Sequence, residues 1–226
     1  MARVRIILLT FRRPALLPRA IESLRRQTFA DWVCELHNGD PTDPDPGHLL
    51  AKLGDPRIQL VLPPRRTGPV EAFNLAHRPV PEEYQSLLED DNWWEPIFLE
   101  KMIASLDAHP EVDLAWSNMR VWRELPGNQW KNTGDCVWSP EHWPRPRLFS
   151  WPQLLHVSDI LYSNGAMLLR SPAAGRLIMP ADTPRDMIEH TRERMMRYPI
   201  LFVPEPLANF ALTLLTFRST DYTGWS

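Results

Sequence analysis

The chain has 226 residues, 43% of them hydrophobic and 23% charged, with a formal net charge of -3. That is enough sequence for one large α/β domain with a sizeable core, too apolar for a disordered chain, and too acidic for nucleic acid as the main partner. The cysteines Cys34 and Cys136 form no C-x-x-C pair, which argues against a disulfide scaffold or a zinc–thiolate site, and no apolar run is long enough to cross a membrane.

Val4 to Thr10 is an apolar run interrupted only by Arg5 before its closing threonine, the pattern of a parallel strand covered on both faces. It is too short for a signal-peptide core and has no small-residue cleavage site, so a cytoplasmic location is expected, with a peripheral place at the inner membrane face as the alternative. Pro14 opens a predicted helix through Gln27, with Leu17, Ala20, Ile21 and Leu24 at helical spacing. Trp32 to Leu36 is a second strand, ending in the turn His37-Asn38-Gly39-Asp40. The prolines of Pro41 to Pro46 read as a loop. Ile58 to Leu62 is a third strand. Arg65-Arg66-Thr67-Gly68 follows, then a helix over Val70 to His77. Tyr84 to Leu88 is a fourth strand, leading into Glu89-Asp90-Asp91-Asn92. Pro96 to His109 is an amphipathic helix, and Val112 to Ser117 a fifth strand.

Beyond residue 118 the pattern is less regular. Val121 to Arg123 and Asp135 to Trp138 read as strands, and Ser163-Asn164-Gly165 precedes the apolar run Ala166 to Leu169. Pro140 to Pro152 is a loop rich in Trp, Arg and His, suited either to a lid or sugar-stacking wall or to packing its own apolar groups on the surface. Pro184 opens a helix from Arg185 to Arg197, and Ile200 to Val203 is a last strand.

Alternating strands and helices predict an open, mostly parallel sheet with helices on both faces. Ligands of such sheets lie beyond the carboxyl ends of the strands. Thr10-Phe11-Arg12, Asn38-Gly39-Asp40 and Glu89-Asp90-Asp91 all fall at strand ends, so one crevice can gather them. If residues 89–91 are extended, Glu89 and Asp91 share a face and Asp90 takes the other. Two carboxylates on one face make a hard-oxygen site for Mg2+ or Mn2+, which usually keeps one or two carboxylates and takes further oxygens from substrate phosphates.

Four segments in order carry a family resemblance: "IILLTFRRPALLPRAIESLRRQT" (6–28), "LHNGDPTD" (36–43), "GPVEAFNLA" (68–76) and "LLEDDNWWEPIFLEKM" (87–102). A weaker fifth lies in "RDMIEHTRER" followed by "LFVPEPLANF". Together they resemble glycosyltransferase family 2, enzymes of the GT-A fold with a D-x-D segment. The resemblance implies one such domain over 1–226, with a nucleotide-sugar half (1–118) and an acceptor half (119–226). It implies a nucleotide-diphospho-sugar donor and transfer to an acceptor hydroxyl with inversion. The acceptor, whether a glycan, lipid-linked sugar or natural product, stays open, as do the base and the sugar.

Carried onto these positions, the resemblance assigns the donor to Thr10, Phe11, Arg12, Asn38, Arg66, Asn74, Glu89 and Asp90. Asp91 is the principal metal ligand, with Glu89 and His190 beside it. Asp186 is the general base. Of Trp93 and Trp94, one should pack in the core and the other line the acceptor site, and Asn164 and Gly165 sit beneath the acceptor or form a plain turn. Asn38 stands where the family usually has aspartate, Glu89 replaces the first aspartate of D-x-D, and Arg185 takes the place of a frequent glutamate. Two other readings remain. A nucleotidyltransferase should carry a glycine-rich phosphate loop after the first strand, where this chain has Thr10-Phe11-Arg12-Arg13-Pro14. A non-catalytic sugar- or nucleotide-binding protein is the other, and Asn38 and Glu89 are the features that permit it. The Arg, Pro and Trp content suggests a high-GC bacterium, and the lack of a long C-terminal extension argues against a polymerising synthase.

Overall fold

The computed structural model describes residues 2–138, 144–150, 163–196 and 199–214. Ten strands form one sheet. Its main path runs β3 (Ile58–Val61), β2 (Trp32–Asn38), β1 (Val4–Thr10), β4 (Tyr84–Glu89), β9 (Met167–Arg170), β6 (Leu114–Leu125), β10 (Ile200–Leu212) and β5 (Trp93–Trp94). Two short partners lie off that path: β7 (Gln129–Cys136) pairs with β6, and β8 (Arg147–Phe149) with β10. The first four strands of the path are parallel, as are β6 and β10, and most paired residues lie in these ladders. Strand β9 runs antiparallel between β4 and β6.

The core follows from the apolar runs. Val4, Ile6, Ile7 and Leu8 are fully buried, because β1 is central and layered on both faces. Helix α1 (Leu17–Arg25) buries Leu17, Ala20, Ile21 and Leu24. Its regular hydrogen bonding starts three residues after Pro14, with Pro18 in the first turn, where a missing N–H costs nothing. Helix α4 (Phe98–Asp107) buries Phe98, Leu99, Met102, Ile103 and Leu106. Helix α3 (Pro69–Ala76) starts at its proline for the same reason as α1.

Two expectations need correction. The segment after Asp40 is not loop throughout: Asp45–Leu53 forms α2, with Pro46 in its first turn and Gly54, at φ 62, closing it in the left-handed conformation. Proline blocks a helix interior but not its first turn, and glycine supplies the stop. The separate short strands near 112–123 are one strand, β6, and the last strand runs on to Leu212 with register shifts around Pro206, where proline lacks a ladder donor. Of the Trp- and Pro-rich stretch 140–152, only 144–150 falls within the described residues, and Arg147–Phe149 there forms β8.

The remaining helical pieces are α5 (Ser171–Ala174) and α6 (Ile188–Met195), with 3-10 turns at Asn164–Ala166, Gly175–Leu177 and Arg185–Met187. Among the described residues no helix is long and apolar enough to cross a membrane.

Candidate active site

The strand ends meet as alternation and topology require. Thr10 pairs with Asn38, and Leu9 with Glu89, so β1, β2 and β4 finish level. A cleft of about 660 Å3 opens there. It is lined by Thr10, Phe11, Asn38 and Gly39 from the ends of β1 and β2, by Glu89, Asp90 and Asp91 from the end of β4 and the turn after it, and by Ser163, Asn164, Arg185 and Arg192 from the second half of the chain. Gly39 is where it is because a Cβ there would sit 3.1 Å from the Phe11 ring.

Residues 89–92 are a tight turn, not an extended segment. The Asn92 N–H donates to the Glu89 carbonyl at 3.1 Å, and the Asp90 N–H to the Leu9 carbonyl at 3.1 Å. The expected alternation of faces is therefore replaced by a sharper sorting by hydrogen bonds. Glu89 has donors on both oxygens: Asn164 at 3.3 Å on Oε1, and Asn92 and Ser163, each at 3.0 Å, on Oε2. Burial and then the charge of Asp91 push its pKa up. Asp90 accepts Thr10 Oγ1 at 2.7 Å and Arg13 Nη1 at 3.2 Å. Asp91 accepts Arg13 Nη1 at 2.7 Å on Oδ2, and its Oδ1 has no hydrogen-bond partner among the described residues. Asp91 is thus the carboxylate with an oxygen open to the cleft.

Burial and the neighbouring Asp91 charge raise Asp90 to about 6. A carboxyl whose folded pKa lies above its unfolded value binds its proton more readily when folded. Its contribution is present below about pH 4 and is lost as pH rises through about 6. Asp90→Asn should therefore gain stability relative to wild type between pH 4 and 7. Urea denaturation at both pH values checks this, and a stability difference that does not change with pH would show that Asp90 does not titrate in that window.

The other sequence-derived residues divide sharply. Asn38 is fully buried, donating to the Asp43 carbonyl and accepting from the Asp40 N–H, so each end of its amide already has a backbone partner. Arg12, at φ 53, and Arg66 both reach the buried Asp40, at 2.5 and 3.2 Å, beside the cleft and not in its lining. Hydrogen bonds from Thr42 and then Arg12 hold the Asp40 carboxyl below the ordinary range. Asn74 clamps Met179 through its main-chain N–H and carbonyl, away from the lining.

Trp94 is buried, stacked on Phe98, and donates to the Gly165 carbonyl. Trp93 packs against Arg19 and Trp122. Neither tryptophan lines the cleft. Asn164 does line it, while Gly165 lies buried behind, where a Cβ would meet Glu89 Oε2 at 3.1 Å. Asp186 is exposed on the 3-10 turn before α6 and is not in the lining, though its neighbour Arg185 is. His190 falls within α6, and its side chain lies outside the described residues.

Three contributors escaped the motif reading. Arg13 bridges two acids one residue past the tripeptide singled out. Arg192 is buried and donates to Asn164 Oδ1 at 2.7 Å, linking α6 to Glu89 through that amide. His37 lines the cleft, with burial lowering its pKa against the pull of Glu35. A lone arginine or histidine inside a polar run carries no spacing signal, so only the fold reveals it.

Among the described residues no three His, Cys, Asp or Glu side chains cluster as a ready metal cage. The donor set fits a hard divalent cation all the same. One anionic oxygen open to a cleft, next to room for phosphate oxygens, is how Mg2+ and Mn2+ are commonly held.

Comparison with known proteins agrees with this geometry. The S. aureus protein TarS, residues 1–349 in complex with UDP, superposes with a TM-score of 0.71 at 13% identity, over 93% of this chain and 60% of that one. The mannosyltransferase PcManGT from Pyrobaculum calidifontis, in complex with GDP-Man and Mn2+, gives 0.63 at 18% identity, over 99% of this chain and 59% of that one. Such likeness shows the GT-A fold. An uncharacterized protein, y4gI of Sinorhizobium fredii (strain NBRC 101917 / NGR234), is 32% identical over 107 residues, which is 46% of this chain and 12% of that protein. The chain thus spans a minor part of the rhizobial protein and about 60% of the TarS fragment. The model of the family described as "Glycosyl transferase family 2" matches residues 5–174, most of the length, and the chain belongs to that family.

Proposed function

We propose that this protein transfers a sugar from a nucleoside-diphosphate sugar to an acceptor hydroxyl, with a divalent cation at Asp91. The observation that carries the reading is the level meeting of β1, β2 and β4 at a cleft lined by all four residues of the turn Glu89–Asn92. Residues 1–118 supply the nucleotide side and 119–226 the acceptor side. Binding of UDP, UDP-GlcNAc or GDP-Man by the structural neighbours agrees with a nucleotide-sugar donor and leaves the base open.

The chain's own groups have distinct tasks. Asp91 offers a carboxylate oxygen to the cation. The cation, when bound, neutralises charge on the departing diphosphate. Glu89 holds Ser163 and Asn164 in place, and Thr10 with Arg13 orients Asp90. Asp186 takes the proton of the acceptor hydroxyl as that oxygen bonds to the anomeric carbon and the bond to the diphosphate oxygen breaks, which inverts the configuration. Arg185 and Arg192 bring positive charge to the same wall of the cleft.

Calorimetry with UDP and with GDP, each with Mn2+ or with excess chelator, tests the reading. We expect binding of at least one nucleotide with Mn2+ and its loss in chelator. A ligand at a hundred times its dissociation constant should also raise stability by about 2.7 kcal/mol. Equal affinity in chelator would remove the cation from the site, and no affinity for either nucleotide would remove these two as donor carriers.

A further inference from the structure

Asp91 is gripped at two points. Arg13 meets its carboxylate, while Arg19 of α1 donates Nη2 to its main-chain carbonyl at 2.9 Å. The Arg19 guanidinium sits in the corner formed by two indoles, 3.7 Å from the centroid of Trp93 and 3.7 Å from that of Trp130, whose rings meet edge to face with centroids 6.0 Å apart. Trp93 follows the acidic turn in β5, and Trp130 comes from β7, whose hairpin with β6 lines no part of the cleft. Trp122 of β6 packs against Trp93 with ring centroids 5.4 Å apart.

The arrangement is costly if it is only packing. Arg19 Nε and Nη1 are buried without hydrogen-bond partners among the described residues. Burial lowers the pKa of Arg19 to about 10, against the pull of Asp91 and Glu124. An apolar side chain of similar reach fills such a slot without desolvating a cation. A guanidinium adds attraction to both ring faces and a directed donor to the Asp91 carbonyl.

We infer that Arg19, packed against both Trp93 and Trp130, is a positioning residue that fixes the turn Glu89–Asn92 and thereby aims the Asp91 carboxylate at the cation and diphosphate. The aim at a cation rests on the proposed function; the fixing of the turn does not. The β6–β7 hairpin therefore sets the affinity of a site it does not line, and any contact that shifts Trp130 is felt at Asp91.

The test uses Arg19→Met, Arg19→Lys, Trp130→Leu and the double variant Arg19→Met/Trp130→Leu, in the full chain. Amide hydrogen exchange reads the turn directly through the N–H groups of Asp90 and Asn92. In Arg19→Met these should exchange roughly tenfold faster or more, while amides within β1 keep wild-type rates, as local opening predicts. Affinity for Mn2+ with UDP or GDP should fall about 10- to 100-fold, the usual range for outer-shell partners of a metal site. Arg19→Lys should recover part of it. Trp130→Leu should move both readouts the same way, and the double variant should be no worse than Arg19→Met, because one grip is removed in each case. Unchanged turn exchange in a folded Arg19→Met, or losses that add in the double variant, would overturn the inference. If Arg19→Met does not fold, exchange in Arg19→Lys and Trp130→Leu decides. If wild type binds no cation with either nucleotide, the functional reading fails while exchange at the turn still decides the positioning claim.

Discussion

Asp91→Asn is expected to lower affinity for Mn2+ with a nucleoside diphosphate by roughly a hundredfold or more, since it removes a direct anionic ligand and outer-shell losses alone reach that range. The fold should survive, because Asp91 is partly exposed in the cleft and, among the described residues, its carboxylate accepts a hydrogen bond from Arg13 alone. Glu89→Gln should cost less in cation affinity. Its oxygens already accept from Asn92, Ser163 and Asn164, so its loss acts through the loop at 163–165. Asp90→Asn should leave cation affinity within a few-fold, since Thr10 and Arg13 occupy its carboxylate. Calorimetry of the three variants checks the order. Equal losses at Asp90 and Asp91 would mean that the free oxygen of Asp91 is not the ligand.

Asp186→Asn is expected to cut turnover by ~100-fold or more while donor affinity holds, the usual scale for losing a general base. Its support is the family resemblance of the segment together with its place beside Arg185 at the cleft wall. Because Asp186 itself is exposed and outside the lining, the substitution should barely change thermal stability. Steady-state transfer with a saturating donor, beside donor affinity by calorimetry, separates the two effects. Near-normal turnover would move the proton acceptor elsewhere, with Glu189 and His190 as the next to substitute.

The sheet was legible because its strands carry apolar pairs and runs that end in polar turns, as Ile6 to Leu9 and Leu87-Leu88 do. Helix α2 was masked by the prolines that open it. The acidic turn was found by composition, but its geometry was misread. Side-chain alternation holds inside a strand, and β4 stops at Glu89. The ranking of Asp91 over Glu89 and Asp90 persists for a different reason, the count of donors on each carboxylate. Those donors, Thr10, Arg13, Ser163 and Asn164, come from distant parts of the chain, and no local pattern encodes their convergence. The split expected of the two tryptophans holds on the core side, with Trp94 buried, while Trp93 packs against an arginine outside the cleft lining.

Strand β9 slots antiparallel between β4 and β6, pairing Tyr84 with Arg170 and Leu114 with Leu169. The order of assembly follows from this. The nascent chain completes β1, β2, β3 and β4 well before β9 is made, so β4 waits with an unpaired edge and Glu89 lacks Ser163, a partner 74 residues further on. Such long-range pairing is slow because loop closure precedes its reward. The turn Glu89–Asn92 is therefore among the last regions to mature on the ribosome. Until then the open edge of β4 is exposed to chaperones and to its own neighbours in a polysome.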